Sequence, residues 1–153
     1  MRDILFRGKR KRKSNGKWIE GYYAVFDPVD IPDKNRKPTS VIFPVNANCN
    51  WWIKYFYNAI EVLPDTVGQF TGLTDKDGKM IFEGDVVKYP WVDVYGVSDT
   101  LMVVHYVDGE FLIKPVSNDC GTDCWEIRIS GENARTEIIG NIYDNPELLE
   151  EEE

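Results

Sequence analysis

Short runs in which apolar and polar positions alternate dominate this chain, and that period predicts strands rather than helices. The clearest case is Leu101–Tyr106, an apolar run followed by the turn signal Asp108-Gly109 and by a second run over Phe111–Val116. Asn or Asp followed by Gly favours a tight hairpin turn, because both positions tolerate positive φ angles. Asn15-Gly16 and Asp77-Gly78 give the same signal. Each of the three turns is therefore predicted to join two adjacent antiparallel strands.

The same pattern extends over most of the chain. Further strands are predicted at Ile4–Lys9, Lys17–Val25, Ser40–Val45, Gln69–Leu73, Lys79–Phe82, Asp85–Tyr89, Trp125–Ile129 and Glu137–Ile142. Pro90 is expected to end the strand before it, because proline lacks the amide proton that a strand ladder uses, and a loop is predicted to continue to Asp99. Asp27–Pro38 contains three prolines and many polar residues, which predicts a surface loop.

Two segments have a less regular pattern. Trp51–Tyr57 is a dense aromatic run whose period fits a strand or a helix, and its aromatic enrichment favours a strand. Near the end, Asn145 followed by Pro146 predicts the start of a helix with Asn145 as its cap. No helix longer than about three turns is expected. Short strands separated by turns favour a small barrel or sandwich, built as one domain or as two small lobes sharing a core.

Three ordered motifs span almost the whole chain. They are Phe6-Arg7-Gly8-Lys9-Arg10 with Gly16-Lys17-Trp18-Ile19-Glu20-Gly21-Tyr22, then Thr66–Leu73 with Asp77-Gly78-Lys79 and Ile81–Val87, and finally Ile139–Leu149. In this order they resemble the YopX family of phage and prophage proteins. The resemblance implies an all-β fold with two lobes divided near Pro64: a small N-terminal β lobe over residues 1–64, and an SH3-like β-barrel with a C-terminal tail over residues 65–153. It implies no established activity.

The composition suits a packed core and gives no sign of a membrane segment. Hydrophobic residues make up 42% and aromatic residues 13% of the chain, but no apolar run approaches the roughly 18 residues that a membrane helix needs. Ile4-Leu5-Phe6 is too short for a signal peptide. The odd number of cysteines, 3, predicts reduced thiols. We therefore expect a protein of the bacterial host cytoplasm with no membrane partner.

Charge is unevenly distributed along a chain whose net charge is −8. A basic cluster near the N-terminus consists of Lys9, Arg10, Lys11, Arg12 and Lys13. On a hairpin tip these side chains would be placed to meet nucleic-acid phosphates, with Trp18, Tyr22 and Tyr23 nearby for stacking. An acidic protein repels the same polyanion, so a solvated tip is the favoured interpretation. No measurable affinity for DNA or RNA in moderate salt is therefore predicted.

One group of residues has the chemistry of a zinc site. Cys120 and Cys124 would join Cys49 and His105 as three thiolates and one imidazole, a ligand set that structural zinc accepts. A second closely spaced ligand pair is lacking, and Cys49 is distant in sequence. Packing is the favoured role for these residues, and no stoichiometric metal or other cofactor is expected.

Polar residues of the central hairpin, which joins the predicted strands Gln69–Leu73 and Lys79–Phe82, and of the Gly84-Asp85 bend after it are predicted to be structural. A calcium loop with Gly78 at its glycine position would put Leu73 and Gly84 at ligand positions, where neither has a side-chain oxygen. In Gly84-Asp85, the glycine permits a bulge and the carboxylate accepts backbone donors at the bend. The chain has a single histidine and no nucleophile-elbow, phosphate-loop or zinc-protease motif. No catalytic residue is therefore assigned.

These observations favour a non-enzymatic interaction module that acts on a host or phage macromolecule, with a protein as the expected partner. Trp51-Trp52 would be an interface patch if exposed, although core packing is the favoured role. The alternative function is a nucleic-acid-associated protein that uses the basic N-terminal hairpin. An enzyme of unrecognised type is the third function class, and the sequence leaves self-association open.

Overall fold

The computed structural model describes residues 3–11, 16–26, 38–45, 59–93, 96–116, 126–129 and 136–149. Eleven strands lie in these segments: β1 Phe6–Lys9, β2 Trp18–Phe26, β3 Thr39–Pro44, β4 Ile60–Glu61, β5 Gly68–Thr74, β6 Met80–Phe82, β7 Asp85–Asp93, β8 Gly96–Val107, β9 Glu110–Pro115, β10 Ile127–Arg128 and β11 Glu137–Asn141. Helical structure in the described segments is limited to two 3-10 helices, Pro64–Thr66 and Pro146–Leu149. The predicted all-β class is confirmed. No described helix is long and apolar enough to cross a membrane.

The strands form two antiparallel sheets. One has six strands in the order β4-β3-β2-β1-β5-β6, and the other has five in the order β10-β9-β8-β7-β11. The chain divides into two compact units, Met1–Gln69 and Phe70–Glu153. The boundary falls inside β5, whose first two residues pair with β1 and whose later residues pair with β6.

The first unit has a core on one face of its strands, and β3 is covered on both faces, since the consecutive residues Ser40–Ile42 are all buried. Ile42 and Val62 are fully buried, and Gly8 lies so close to both that a methyl group there would be in tight contact with them. The rings of Phe6 and Tyr23 pack beside this core with centroids 5.4 Å apart. Since successive strand residues point to opposite faces, this packing leaves the alternate residues of β1 and β2 on the other face.

The second unit has a core built by the same alternation. Its buried members are Ile81, Val87, Met102, Val104, Ile113 and Ile129. Met102 and Val104 occupy alternate positions of β8, and each is paired with a core residue on a neighbouring strand. Ile129 is buried while Arg128 is exposed, which is the alternation expected of a half-buried strand.

All three predicted turns join adjacent antiparallel strands. They connect β1 with β2, β5 with β6, and β8 with β9. In the last turn Asp108 and Gly109 have φ angles of 50° and 88°. Two consecutive positive φ angles characterise the turn type that matches the twist of a two-residue hairpin.

The predicted end of a strand at Pro90 is wrong. β7 continues to Asp93 and pairs with β8, with Pro90 opposite Asp99, so the predicted loop to Asp99 is instead a hairpin arm. The pairing of β11 with β7 stops at Lys88. Beyond that residue the described pairing of β7 is with β8 alone, and a proline is tolerated in a strand that lacks a neighbour on one side.

The second unit is an open sheet in its described part. β7 to β10 follow one another as a meander, and β11 returns to lie beside β7. No described pairing links the two outer strands β10 and β11, so the sheet is not closed into a barrel by hydrogen bonds. The run Trp51–Tyr57 and most of the loop Asp27–Pro38 lie outside the described residues.

Candidate functional site

The side chain of Asp75, in the turn of the central hairpin, accepts three backbone hydrogen bonds. Its Oδ1 accepts hydrogen bonds from the backbone N–H groups of Asp77 and Lys79, each at 2.9 Å, and its Oδ2 accepts one from Ile138 at 3.2 Å. Burial raises the pKa of this carboxyl group, but the three backbone donors outweigh burial and hold its pKa below the ordinary value. The carboxylate therefore ties the turn to β11 and is occupied as an acceptor.

Gly84-Asp85 performs a similar task one turn later. Oδ2 of the buried Asp85 accepts a hydrogen bond from the backbone N–H of Phe82 at 2.8 Å, which confirms the predicted role of this carboxylate. Gly84 has a φ angle of 83°, donates its N–H to the carbonyl of Val104 and accepts from the N–H of Ile142. Its positive φ angle is cheap for glycine and strained for other residues.

The polar side chains of the last motif, Ile139–Leu149, also form local hydrogen bonds with the backbone. Oδ1 of Asn141 accepts hydrogen bonds from the backbone N–H groups of Tyr143 and Asp144, at 3.0 and 2.9 Å. A short 3-10 helix covers Pro146–Leu149, where a helix start was predicted, and Leu148 donates its N–H to the carbonyl of Asn145. Oδ1 of Asn145 accepts from the backbone N–H of Asn141 instead of from a helix N–H, so the predicted side-chain cap is not observed. Asp75, Asp85 and Asn141 thus stabilise the fold by accepting backbone hydrogen bonds. A functional site is therefore sought on the exposed surfaces.

The basic cluster is only partly described. Lys9 lies in β1 with its backbone N–H donated to Oγ1 of Thr66, and Arg10 is exposed. Lys11 forms an ion pair with Glu61, with Nζ 2.6 Å from Oε1. Arg12 and Lys13 lie outside the described residues, as do Trp51 and Trp52.

The outer face of the first unit carries four aromatic rings. Trp18, Tyr22 and Phe26 occupy every fourth position of β2, so they share one face, and Phe43 of β3 lies directly opposite Tyr22. The rings of Phe26 and Phe43 meet edge to face with centroids 6.2 Å apart. Tyr22 and Phe26 are each 47% exposed. We refer to these four residues as the aromatic face.

Two cations border the aromatic face at its β1 side. Arg7 and Lys9 occupy alternate positions of β1, and Lys9 is directly opposite Trp18. The Cζ atom of Arg7 lies 4.8 Å from the centroid of the Trp18 ring, and Nζ of Lys9 lies 5.5 Å from it. Both are within the range of cation–π attraction. Glu20, which is exposed, is opposite Arg7 and is the anion of this part of the face.

The two units differ in the sign of their charge. Residues 1–69 contain 12 lysine and arginine residues and 7 aspartate and glutamate residues, a net charge of +5. Residues 70–153 contain 6 and 19, a net charge of −13. The aromatic face therefore belongs to a unit whose charge is opposite to that of the whole chain.

The zinc hypothesis is only partly addressed by the described residues. His105 lies in β8, with Nε2 3.5 Å from Oε1 of Glu126 and without a hydrogen bond. Cys49, Cys120 and Cys124 lie outside the described residues. Among the residues that the structure does describe, no group of three or more histidine, cysteine or acidic side chains is arranged to hold a metal ion. The zinc site therefore stays a low-ranked prediction.

A comparison with protein-family models decides the classification. The model described as YopX protein matches residues 6–150. The chain belongs to the YopX family. No curated protein matches it. Among solved structures it is similar to protein EF1440 from Enterococcus faecalis, with 24% identity, a TM-score of 0.48, and coverage of 97% of this chain and 99% of that chain.

Family membership fits the distribution of structural roles described above. The central YopX motif contains Asp85 and Gly84, and the last one contains Asn141, all engaged with the backbone. The first YopX motif contributes Arg7, Lys9, Trp18 and Tyr22 to the cationic and aromatic surface. Sequence reasoning noted aromatic residues near the basic hairpin. It missed that Phe26 and Phe43 continue the same face, because the register of β2 with β3 is not visible in the sequence.

Proposed function

We propose that this YopX family member is a non-enzymatic binding module and that the aromatic face is its binding surface. The observation that carries the proposal is the pair of half-exposed rings, Tyr22 and Phe26, in line with Trp18 and beside two cations on one sheet face. Tryptophan, tyrosine and arginine are the residues most enriched where binding energy concentrates. β2 and β3, which are paired over six residues, present Tyr22, Phe26 and Phe43 on one face.

The internal chemistry of the motifs also supports a binding role. Asp75 and Asp85 are the buried carboxylates among the described residues of the second unit, and both accept hydrogen bonds from backbone N–H groups. A carboxylate that is fixed in this way is a poor general base, because protonating it would weaken those hydrogen bonds. Among the described residues, the exposed rings Tyr22 and Phe26 and the cations beside Trp18 remain as groups that could bind a partner.

In this proposal the second unit folds as an SH3-like barrel. The return of β11 to the side of β7 supports that shape, since it leaves β10 and β11, which are consecutive in the chain, as the two edges that a barrel would bring together. The three motifs support an origin in a phage or prophage, and with it a site of action in the cytoplasm of a bacterial host.

The proposal is tested by capture from host lysate on immobilised protein. We expect at least one retained macromolecule, protein or nucleic acid, whose capture is lost in the double variant Tyr22→Ala/Phe26→Ala. The matched control is Tyr106→Ala, which removes a ring 48% exposed in the second unit. A capture profile that is identical in wild type and double variant would contradict the proposed surface.

A further inference from the structure

We infer that the occupant of the aromatic face is single-stranded nucleic acid, an inference that rests on the proposed binding role of that face. Single-stranded DNA and RNA offer the two groups that the face can accept together, namely unpaired bases and phosphates. Proteins that bind such strands without sequence preference combine aromatic stacking platforms with cations along the backbone path.

The charge of the first unit bears on whether this acidic protein would repel a polyanionic ligand. The net charge of −8 predicts repulsion only if the charge is spread evenly over the molecule. It is not, because the unit that contains the aromatic face has a net charge of +5. At 0.15 M ionic strength the Debye length is about 8 Å, so the charges nearest the rings matter most to a bound strand. Of the described charges, Arg7 and Lys9 contact the Trp18 ring and Glu20 is opposite Arg7.

The separation of the exposed rings suits an extended chain of bases rather than a single small ligand. Tyr22 and Phe26 are four residues apart on β2, which places their Cα atoms about 13 Å apart along the strand. Phe43 lies opposite Tyr22, and its ring approaches Phe26 to 6.2 Å between centroids. The rings of Phe26 and Phe43 therefore form an apolar pair, and Tyr22 lies next to Phe43 on the neighbouring strand. Every base has a π-face, so these rings accept bases without selecting a sequence.

The cations lie where they would meet the backbone of a strand on the aromatic face. Arg7 and Lys9 flank Trp18, which is in line with Tyr22 and Phe26 on the same face of β2. Their own contacts with the Trp18 ring hold both side chains at this end of the aromatic face. Phe26 lies at the other end of the face, so a strand stacked on Tyr22 and Phe26 would reach these two cations with its phosphates by continuing past Tyr22 toward Trp18.

A duplex fits this surface less well than a single strand. In duplex DNA the base faces are stacked on one another and are not available to a ring, so the aromatic residues would contribute nothing. Only the cations would remain, and Glu20 opposes them at the same end of the face. The inference therefore predicts a clear preference for single strands.

The test uses the full chain with fluorescein-labelled dT12, rU12 and a 12-base-pair duplex, measured by fluorescence anisotropy at 50 mM salt. We expect both single strands to bind with micromolar affinity and the duplex to bind at least tenfold more weakly. Tyr22→Ala/Phe26→Ala should weaken single-strand binding roughly 5- to 100-fold, the range for losing base stacking. Tyr106→Ala should leave it unchanged. Circular dichroism and thermal unfolding of each variant verify that it folds.

Two charge variants make the test independent of the rings. Lys9→Gln should lower the slope of log affinity against log salt by about 0.7, the value for one contact with a single-strand phosphate. Glu20→Gln should raise affinity, because it removes the anion opposite Arg7.

Absence of single-strand binding, equal binding of the duplex, or binding unaffected by the ring variant would each overturn the inference. If a protein is nevertheless captured through Tyr22 and Phe26, the proposed binding face stands and only its occupant is wrong.

Discussion

At the scale of single residues, Asp75 illustrates how a conspicuous carboxylate serves structure. It is 4% exposed and accepts three backbone hydrogen bonds, one of them from Ile138, 63 positions later in the chain. The turn that Asp75 anchors was predicted from the local signal Asp77-Gly78. The link to β11 was not, because no local pattern marks which distant amide a carboxylate will accept.

Replacing Asp75 with Ala should destabilise the fold by about 2–4 kcal/mol, since it leaves three backbone donors without their acceptor. Urea denaturation gives the free energy of unfolding. The matched control is Asp77→Ala, which alters an exposed side chain of the same turn and should cost well under 1 kcal/mol. Equal losses in the two variants would show that the carboxylate of Asp75 does not anchor the turn.

The same carboxylate predicts a pH dependence. Its pKa in the folded protein is below the ordinary value because of the backbone donors. A depressed folded pKa contributes stability that is complete above the unfolded-state pKa and is lost as the pH falls through the folded pKa. The free energy of unfolding should therefore decrease below about pH 4, and the decrease should be shallower in Asp75→Asn. A parallel pH profile in that variant would contradict the assignment.

Gly84 offers a second test at this scale, with a control inside the same hairpin. Gly84 and Gly78 have similar positive φ angles, 83° and 80°, so alanine is strained at both. A Cβ atom at Gly84 would lie 3.1 Å from Cε2 of Tyr143, whereas a Cβ at Gly78 meets nothing within 4 Å. Gly84→Ala should therefore cost more than Gly78→Ala, by about 1 kcal/mol or more. Equal unfolding free energies would mean that the Tyr143 contact relaxes without cost.

At the scale of strands and hairpins, local chemistry was informative wherever two strands are joined by a short turn. Asn15-Gly16, Asp77-Gly78 and Asp108-Gly109 each specify a hairpin by the φ angles they permit, and each hairpin is present. The predicted strand end at Pro90 was wrong because the cost of a proline in a strand depends on whether a neighbouring strand needs an amide proton at that position. That neighbour is β11, about 50 residues later, and its pairing with β7 ends before Pro90.

The candidate site was predictable in part for the same reason. Trp18 and Tyr22 were recognisable as possible stacking residues because they lie on one strand next to the basic cluster. Phe43 was not, since only the register of β3 against β2 places it opposite Tyr22. Alternation along one strand identifies a face, but which residues of neighbouring strands complete that face depends on long-range pairing.

At the scale of the whole molecule, the distribution of charge matters more than its total. The chain has a net charge of −8, yet it combines a unit of +5 with a unit of −13. The total predicts repulsion of nucleic acid, and the first unit alone predicts attraction. Electrostatic steering depends on the local potential of the surface that a ligand approaches, so the cations that contact Trp18 matter more than the total charge.

The most direct test of a nucleic-acid-binding aromatic face is a titration of ¹⁵N-labelled protein with unlabelled dT12, followed by heteronuclear NMR. The account predicts that amide shifts change along β1, β2 and β3, largest near Tyr22, Phe26 and Phe43, and that the core strands β8 and β9 are unaffected. Salt should reduce the changes in proportion to the loss of binding. Shift changes confined to the second unit, or none at saturating oligonucleotide, would contradict it.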